Sequence, residues 1–388
     1  MKSNWQTLKL NEIAHISAGG DVPKECFSKE KTSIFNVPII SNGVGDEAIY
    51  GYTTIKKISE PCITVAARGT IGYTAFREEP FYPIIRLICI MPNRKKTDPK
   101  YLYYQLSNIR FAGTSAGISQ LTVPMISRYK VKLPDLKTQQ KIAQILDTWT
   151  NSIELIKKEI SNANKHMTAL SRELLSNHSS ATNEYKLADL CNIKKGSGLS
   201  KDILTDSGIP CILYGELYTH YDYLIDSIQS KTPISTAGVK SSANDILVPG
   251  STTTNGKDLA IASVVKMPDV LLGGDINILR VKNQEIVDSV FLALYLRYIK
   301  WREMAARAQG ITIVHLYGKD LSNITVELPT IQIQRKIVSI INLQREKISC
   351  LKEELKAIER QYKYLLNHLI NGDFDSSNIK LENGKEYK

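Results

Sequence analysis

From Ile142 onward, apolar residues recur at alternating steps of four and three: Ile142, Leu146, Trp149, Ile153, Ile156, Ile160, Ala163, Met167, Leu170 and Leu174. The register returns 195 residues later as Ile337, Ile341, Gln344, Ile348, Leu351, Leu355, Ile358, Tyr362, Leu365 and Leu369, with Gln344 its one polar position. A stripe kept over about four heptads predicts a coiled-coil helix rather than one half-sunk in a globular core. Each helix is roughly three times the ordinary length of about 11–12 residues. Neither buries its stripe alone, so the expectation is that they bury it in each other, as an antiparallel pair. A polar seam residue can fix register at a cost in stability, and Gln344 is the candidate for that role.

Elsewhere the pattern is that of short strands. Trp5–Ile16 alternates into Gly19 and Gly20; Cys62–Ala67 reads as a buried strand emptying into Arg68, Gly69, Thr70; Ile84–Ile90 reads as a further strand carrying Arg86. Pro99–Asn108 opens with proline and reads as a short helix, followed by a glycine and serine loop at 113–121. The second region replays the first. Leu187, Leu190, Ile193 and Gly196 follow Leu10, Ile13, Ile16 and Gly19; Asp245–Thr252 stands for the strand into Arg68; Ser289–Ile299 repeats the short helix; Arg307–Ile311 repeats the glycine loop.

The predicted fold is α+β: a tandem duplication of a mixed α/β domain plus a long helix. Its expected parts are domain one (1–134), helix one (135–176), a polar linker (177–184), domain two (185–329), helix two (330–372) and a flexible tail (373–388). The seam spans 33 residues, so each helix would extend about 50 Å over it, on the order of one and a half turns of B-form DNA.

Composition narrows the function. The formal charge of +11 leans toward a polyanion, which becomes informative only on an architecture that uses it. No apolar run approaches a membrane span, no secretory signal is indicated, and the six cysteines show no ligand spacing, so a cytoplasmic protein with reduced thiols is expected. The residues 256–258 resemble a phosphate-binding loop only superficially, and neither a dinucleotide fingerprint nor a paired-histidine metal motif is present. No metal site is expected.

Both long helices open alike, with Leu133, Pro134, Gln139, Lys141, Ile142 and with Leu328, Pro329, Gln334, Lys336, Ile337. On this doubled motif and the whole-chain duplication, the sequence resembles the specificity subunit of a Type I restriction-modification system. The resemblance implies two target recognition domains reading a double-stranded DNA target with two half-sites, and a coiled coil that sets their gap. It implies two methylation subunits and restriction subunits as partners. It implies no catalytic activity or cofactor in this chain; adenosyl-methionine, ATP and magnesium belong to the partner subunits. The absence of an Asn-Pro-Pro-Tyr signature agrees with borrowed catalysis.

Arg68 is the leading candidate for DNA contact, by bidentate pairing with guanine or by a phosphate clamp. Gly69, Thr70 and Asn42 accompany it, with Lys56, Lys57, Lys95 and Lys96 as phosphate anchors or solvated charge. In the second domain the candidates are Lys194, Lys195, Ser197, Ser251, Thr252, Thr253, Lys257, Gln309 and His315. Tyr214, Tyr218, Tyr221 and Tyr223 crowd one stretch, as a DNA-facing patch or a small hydrophobic cluster, with the cluster slightly favoured. Two other readings stay open: an assembly scaffold that reads no DNA, and a chain that itself methylates or cuts DNA.

Overall fold

The computed structural model describes residues 5–112, 119–177 and 182–373. The chain divides into two compact units, one of residues 1–157 with 353–388 and one of residues 158–352, so each long helix contributes one half to each unit.

In the first unit, β1 (Gln6–Lys9) is followed by a helical turn at Leu10–Ile13 that interrupts the alternation expected across 5–16, and then by β2 (Ala14–Ala18). The order continues β3 (Val37–Ile40), β4 (Ile49–Thr53), β5 (Cys62–Ala66), β6 (Thr74–Arg77), β7 (Tyr82–Pro83), β8 (Leu87–Pro92), α1 (Pro99–Ser107), β9 (Lys130–Leu133) and α2 (Leu136–Ser176). The central sheet runs β2-β8-β5-β6, a smaller one β4-β3-β7, and β1 pairs with β9. Five consecutive buried residues in β5 show why it reads as a continuous apolar run: both of its faces are covered.

The second unit repeats this plan with β10 (Asn183–Lys186), β11 (Cys191–Lys195), β12 (Ile209–Ile212), β13 (Leu224–Ile225), β14 (Ser230–Thr232), β15 (Asp245–Pro249), β16 (Ser251–Thr252), β17 (Ser263–Val265), β18 (Leu271–Leu272) and β19 (Ile276–Val281). After these come α3 (Ser289–Tyr298), a helix at Trp301–Arg307, β20 (Val314–His315), β21 (Thr325–Leu328) and α4 (Ile331–Asn371). Its sheets are β11-β19-β15-β17-β13, β14-β12-β18, β10-β21 and β16-β20.

Two sequence expectations need correction here. The linker expected at 177–184 ends earlier, because Asn183 already pairs with Leu328 in β10-β21; residues 178–181 of that stretch lie outside the described residues, as do 113–118 of the glycine loop and 374–388 of the tail. The strand expected at Ile84–Ile90 begins only at Leu87, since Arg86 takes a left-handed backbone (φ 70°) that breaks the extended run.

Within each unit the two half-helices run antiparallel. In the first, Ile142, Leu146 and Trp149 share a cluster with Leu365, Leu366 and Leu369, and Lys157 pairs with Glu359 at 2.7 Å. In the second, Leu174 and Leu175 share a cluster with Ile337 and Ile341, and Lys347 lies 3.6 Å from Glu159. Of the seam positions, Ile142, Leu146, Ile153, Met167, Ile337, Ile341, Ile348 and Leu369 are buried, and Trp149, Ile156, Ile160, Ala163, Leu170, Leu174, Gln344, Leu351, Leu355, Ile358, Tyr362 and Leu365 are half-buried.

The glutamine of the repeated helix opening has a clear structural cause. Gln139, 1% exposed, accepts from the Asp98 amide (2.9 Å) and donates to the Pro134 (2.8 Å) and Lys96 (3.2 Å) carbonyls. Gln334, 0% exposed, accepts from the Asp288 amide (2.9 Å) and donates to the Pro329 (2.8 Å) and Ile286 (2.9 Å) carbonyls. Asp98 and Asp288 are the N-caps of α1 and α3, accepting from Tyr101 N (2.9 Å) and from Val290 N (2.9 Å) respectively. One buried amide side chain thus ties the breaking proline, the cap of the preceding helix and the start of the long helix together in each unit.

Candidate nucleic-acid interface

Four backbone hydrogen bonds define the same end of the central sheet in both units. Gly19 N donates to Leu87 O (2.8 Å), Gly20 N to Pro83 O (3.2 Å), Ala67 N to Arg86 O (2.8 Å) and Leu121 N to Ala67 O (2.8 Å). In the second unit Gly196 N donates to Ile276 O (2.9 Å), Ser197 N to Leu272 O (3.0 Å), Gly250 N to Asp275 O (2.6 Å) and Leu316 N to Gly250 O (3.0 Å). The four bonds correspond one to one, so Arg68 takes the place of Ser251 and Arg86 that of Asp275. Close backbone approach demands the glycine at the first position: a Cβ on Gly19 would lie 2.0 Å from Ile84 O and one on Gly196 2.0 Å from Gly273 O.

In the first unit, Asn42 donates from Nδ2 to Arg68 O (2.7 Å), and Thr70 Oγ1 donates back to Asn42 O (3.0 Å), which fixes the Arg68–Thr70 turn. Gly69 sits in it at φ 76°. Asn42, Arg68, Gly69 and Thr70 are therefore brought together, with Asn42 Nδ2 and Thr70 Oγ1 engaged in shaping the turn. Arg68 is half-buried and Arg86 exposed, and neither makes an ion pair among the described residues. Lys57 reaches the same end, its Nζ 5.1 Å from the Tyr82 ring centroid and near Gly20. Lys56 is exposed beside it. Lys95 and Lys96 follow the opposite end of β8, where Lys96 Nζ donates to Glu12 O (3.1 Å), away from this cluster.

The second unit carries different chemistry on the same frame. Lys195 Nζ lies 3.1 Å from Asp275 Oδ1, and Ser251 Oγ donates to Asp275 Oδ2 (2.9 Å). Burial alone would raise the Asp275 carboxyl; the hydrogen bonds from Lys195 and Ser251, with the Lys195 and His315 charges, bring it below its ordinary value. Ser251 and Thr252 were expected to touch DNA, yet they are 3% and 2% exposed: in the β16-β20 pair both faces are covered, Ser251 Oγ held by Asp275 and Thr252 Oγ1 2.9 Å from Thr254 Oγ1. Ser197 is likewise occupied, its Oγ accepting from Val239 N (2.8 Å). Thr253 and Lys257 are exposed, on a turn where Asn255 caps Gly256–Leu259; Gly256 is a packing position, a Cβ there falling 2.7 Å from Ala305 O.

Gln309 and His315 exchange backbone hydrogen bonds (2.8 and 2.7 Å) that close the loop between them. Beside His315 lies a groove of about 380 Å³ lined by Lys194, Lys195, Asn277, Tyr317 and Lys319 among others. Tyr317 stacks on His315 (5.7 Å, 16°) and Lys319 sits 5.7 Å from the Tyr317 ring. Basic residues interleaved with an aromatic suit a nucleic-acid backbone and its bases.

Arg86, Tyr317 and Lys319 were missed as candidates. Arg86 hid inside a run that looked like one continuous strand; Tyr317 and Lys319 follow the glycine loop, and their only signal was proximity to His315. In the tyrosine stretch Tyr223 is 0% exposed and Tyr214 and Tyr221 pack on a core cluster, while Tyr218 is 38% exposed. Burial pushes the Cys191 thiol up to about 12 and Cys211 up to about 11, which leaves both protonated and inert. Among the described residues no group of three or more His, Cys, Asp or Glu is placed to hold a metal ion, and no helix is long and apolar enough to cross a membrane.

Two like units, each a sheet domain with a basic end beside its own antiparallel pair of half-helices, define a tandemly duplicated α+β architecture. The family model described as Type I restriction modification DNA specificity domain matches residues 2–165 and again 180–360, and the chain belongs to that family. A type I specificity subunit of Mycoplasma pneumoniae is 38% identical over 149 residues, 37% of this chain and 44% of its own length. A second from that organism is 36% identical over 168 residues, 42% of this chain and 46% of its own length, so less than half of each of these two relatives is matched. A type I restriction enzyme specificity subunit of Methanocaldococcus jannaschii is 23% identical and covers 95% of this chain and 93% of its own. The solved S subunit of the type I restriction-modification system of M. genitalium has the same fold, with a TM-score of 0.61 at 19% identity, covering 95% of this chain and 96% of that one.

Proposed function

We propose that this chain selects the DNA sequence for a type I restriction-modification complex and carries no catalysis of its own. Each domain reads one half-site of a bipartite target with the sheet end described above. The observation that supports this most directly is the pair of matching hydrogen-bonded frames bearing opposite charge at one position, exposed Arg86 in one and half-buried Asp275 in the other. A scaffold has no use for a shared frame with divergent chemistry at its exposed end; a reader of two unlike half-sites does.

The long helices set the gap between half-sites and offer the docking surface for two methylation subunits, with restriction subunits joining the complex. Leu155 (67% exposed) and Leu343 (63%) lie outside the seam and remain apolar and open to such partners. Adenosyl-methionine, ATP and magnesium are bound by those partners. The test is sequencing of modified bases in cells that express this chain with its methylation subunits. A single bipartite motif with an unread gap is the expected result; uninterrupted or unselective methylation contradicts the reading.

A further inference from the structure

Ile311 is 99% exposed, the most exposed large apolar side chain among the described residues. It does not hang on a loose strand of chain. The Gln309–His315 bridge closes the loop at its base, and Gly310, at φ 130°, turns so tightly that a Cβ on it would lie 2.0 Å from Ile313 O. Val314, one residue on, is 9% exposed and anchors the returning arm in the domain core. The loop therefore presents an isoleucine at the tip of a braced projection, with half-exposed Ile313 (49%) behind it.

The surroundings say what the tip meets. His315, at the foot of the loop, lines the groove that Lys195, Tyr317 and Lys319 also line. An apolar tip rising from a cationic and aromatic wall matches a duplex, whose phosphates answer the lysines and whose stacked bases offer an apolar interior. An apolar side chain inserted at a base step is covered on both faces, and the unstacking it causes is offset by the contacts the bent duplex then makes. We propose that Ile311 is a wedge that enters the DNA at a base step of the second half-site, which makes easily unstacked pyrimidine–purine steps the favoured ones there.

This inference rests on the DNA-reading function proposed above. Its test uses the full chain assembled with its methylation subunits, and duplexes carrying the mapped target with 2-aminopurine at one position at a time across the second half-site, omitting the methylated adenine. With the native chain and with Ile311→Leu, fluorescence rises at one step. With Ile311→Ser that rise is lost and affinity for the target falls by about ten-fold or more, the scale of burying one isoleucine, while discrimination in the first half-site is unchanged. Because Ile311 is solvent-exposed, the substitution leaves folding intact. Identical fluorescence profiles for the native and serine chains overturn the wedge. So does a serine chain that loses assembly with the methylation subunits but binds DNA normally once assembled, which makes the loop a protein contact. If the native assembly itself does not distinguish the mapped target from other DNA, the DNA-reading function fails, and the wedge with it.

Discussion

Arg86 and Asp275 occupy the same place on two copies of one backbone, each lending its carbonyl to the strand end opposite (2.8 and 2.6 Å), yet one is an exposed cation and the other a carboxylate held by Lys195 and Ser251. Away from that end the copies agree closely. Gln139 and Gln334 make the same three hydrogen bonds, Asp98 and Asp288 cap equivalent helices, and Gly19 and Gly196 admit the same close carbonyl. The difference separates two kinds of position: those that hold the frame tolerate little change, and those at its mouth are free to diverge.

The largest effects should follow from breaking the frame, and they should be equal in the two units. Gln139→Leu and Gln334→Leu each orphan buried backbone groups, and each should lower stability by about 3 kcal/mol or more at roughly 1–3 kcal/mol per unsatisfied group. Chemical unfolding of the full chain measures both; a large effect at one and none at the other would show that the frames are not equivalent. Next come the mouth positions, which should act on one half-site only. Arg68→Ala and Arg86→Ala should each weaken target binding by about 1–3 kcal/mol if they read bases, with relaxed selectivity confined to the first half-site. Uniform weakening on all DNA would make them phosphate contacts instead.

Smaller is the response to acid. Because the Asp275 carboxyl lies below its ordinary value in the folded chain, its contribution to stability is present above the usual carboxylate range and is lost as pH falls through the folded value. The native chain should therefore lose stability toward low pH more steeply than Asp275→Asn, as thermal unfolding across the acid range will show; parallel curves remove the Lys195–Asp275 pair from the account. Smallest is Gln344→Leu, which should stabilise the helical pair by about 1 kcal/mol. If it also leaves the gap between half-sites and the assembly unchanged, Gln344 has no role in register.

Much of this was legible in the sequence, for a physical reason: helical periodicity and a repeated opening motif survive as patterns however the chain folds. The doubled Leu-Pro and the shared Gln and Lys-Ile marked both long helices, and Arg68 stood out because a glycine turn after an apolar run marks a strand end. What stayed hidden depends on three-dimensional backbone geometry. Arg86 looked like a strand residue because nothing in Ile84–Ile90 signals a left-handed backbone at a non-glycine position. Ser251 and Thr252 looked available because polar residues after a strand usually face water; here a two-residue pairing with Val314–His315 buries them. Gln139 was visible as a repeated letter, but its three partners lie on segments that only the fold brings to it.

The most direct test of the account is exchange of residues 1–134 for the matching domain of a relative with a different target, with the rest of the chain kept and modified bases mapped in cells supplying the methylation subunits. One half of the methylated sequence should change, with the other half and the gap preserved. A change in both halves, or in neither, would contradict the assignment of one half-site to each domain.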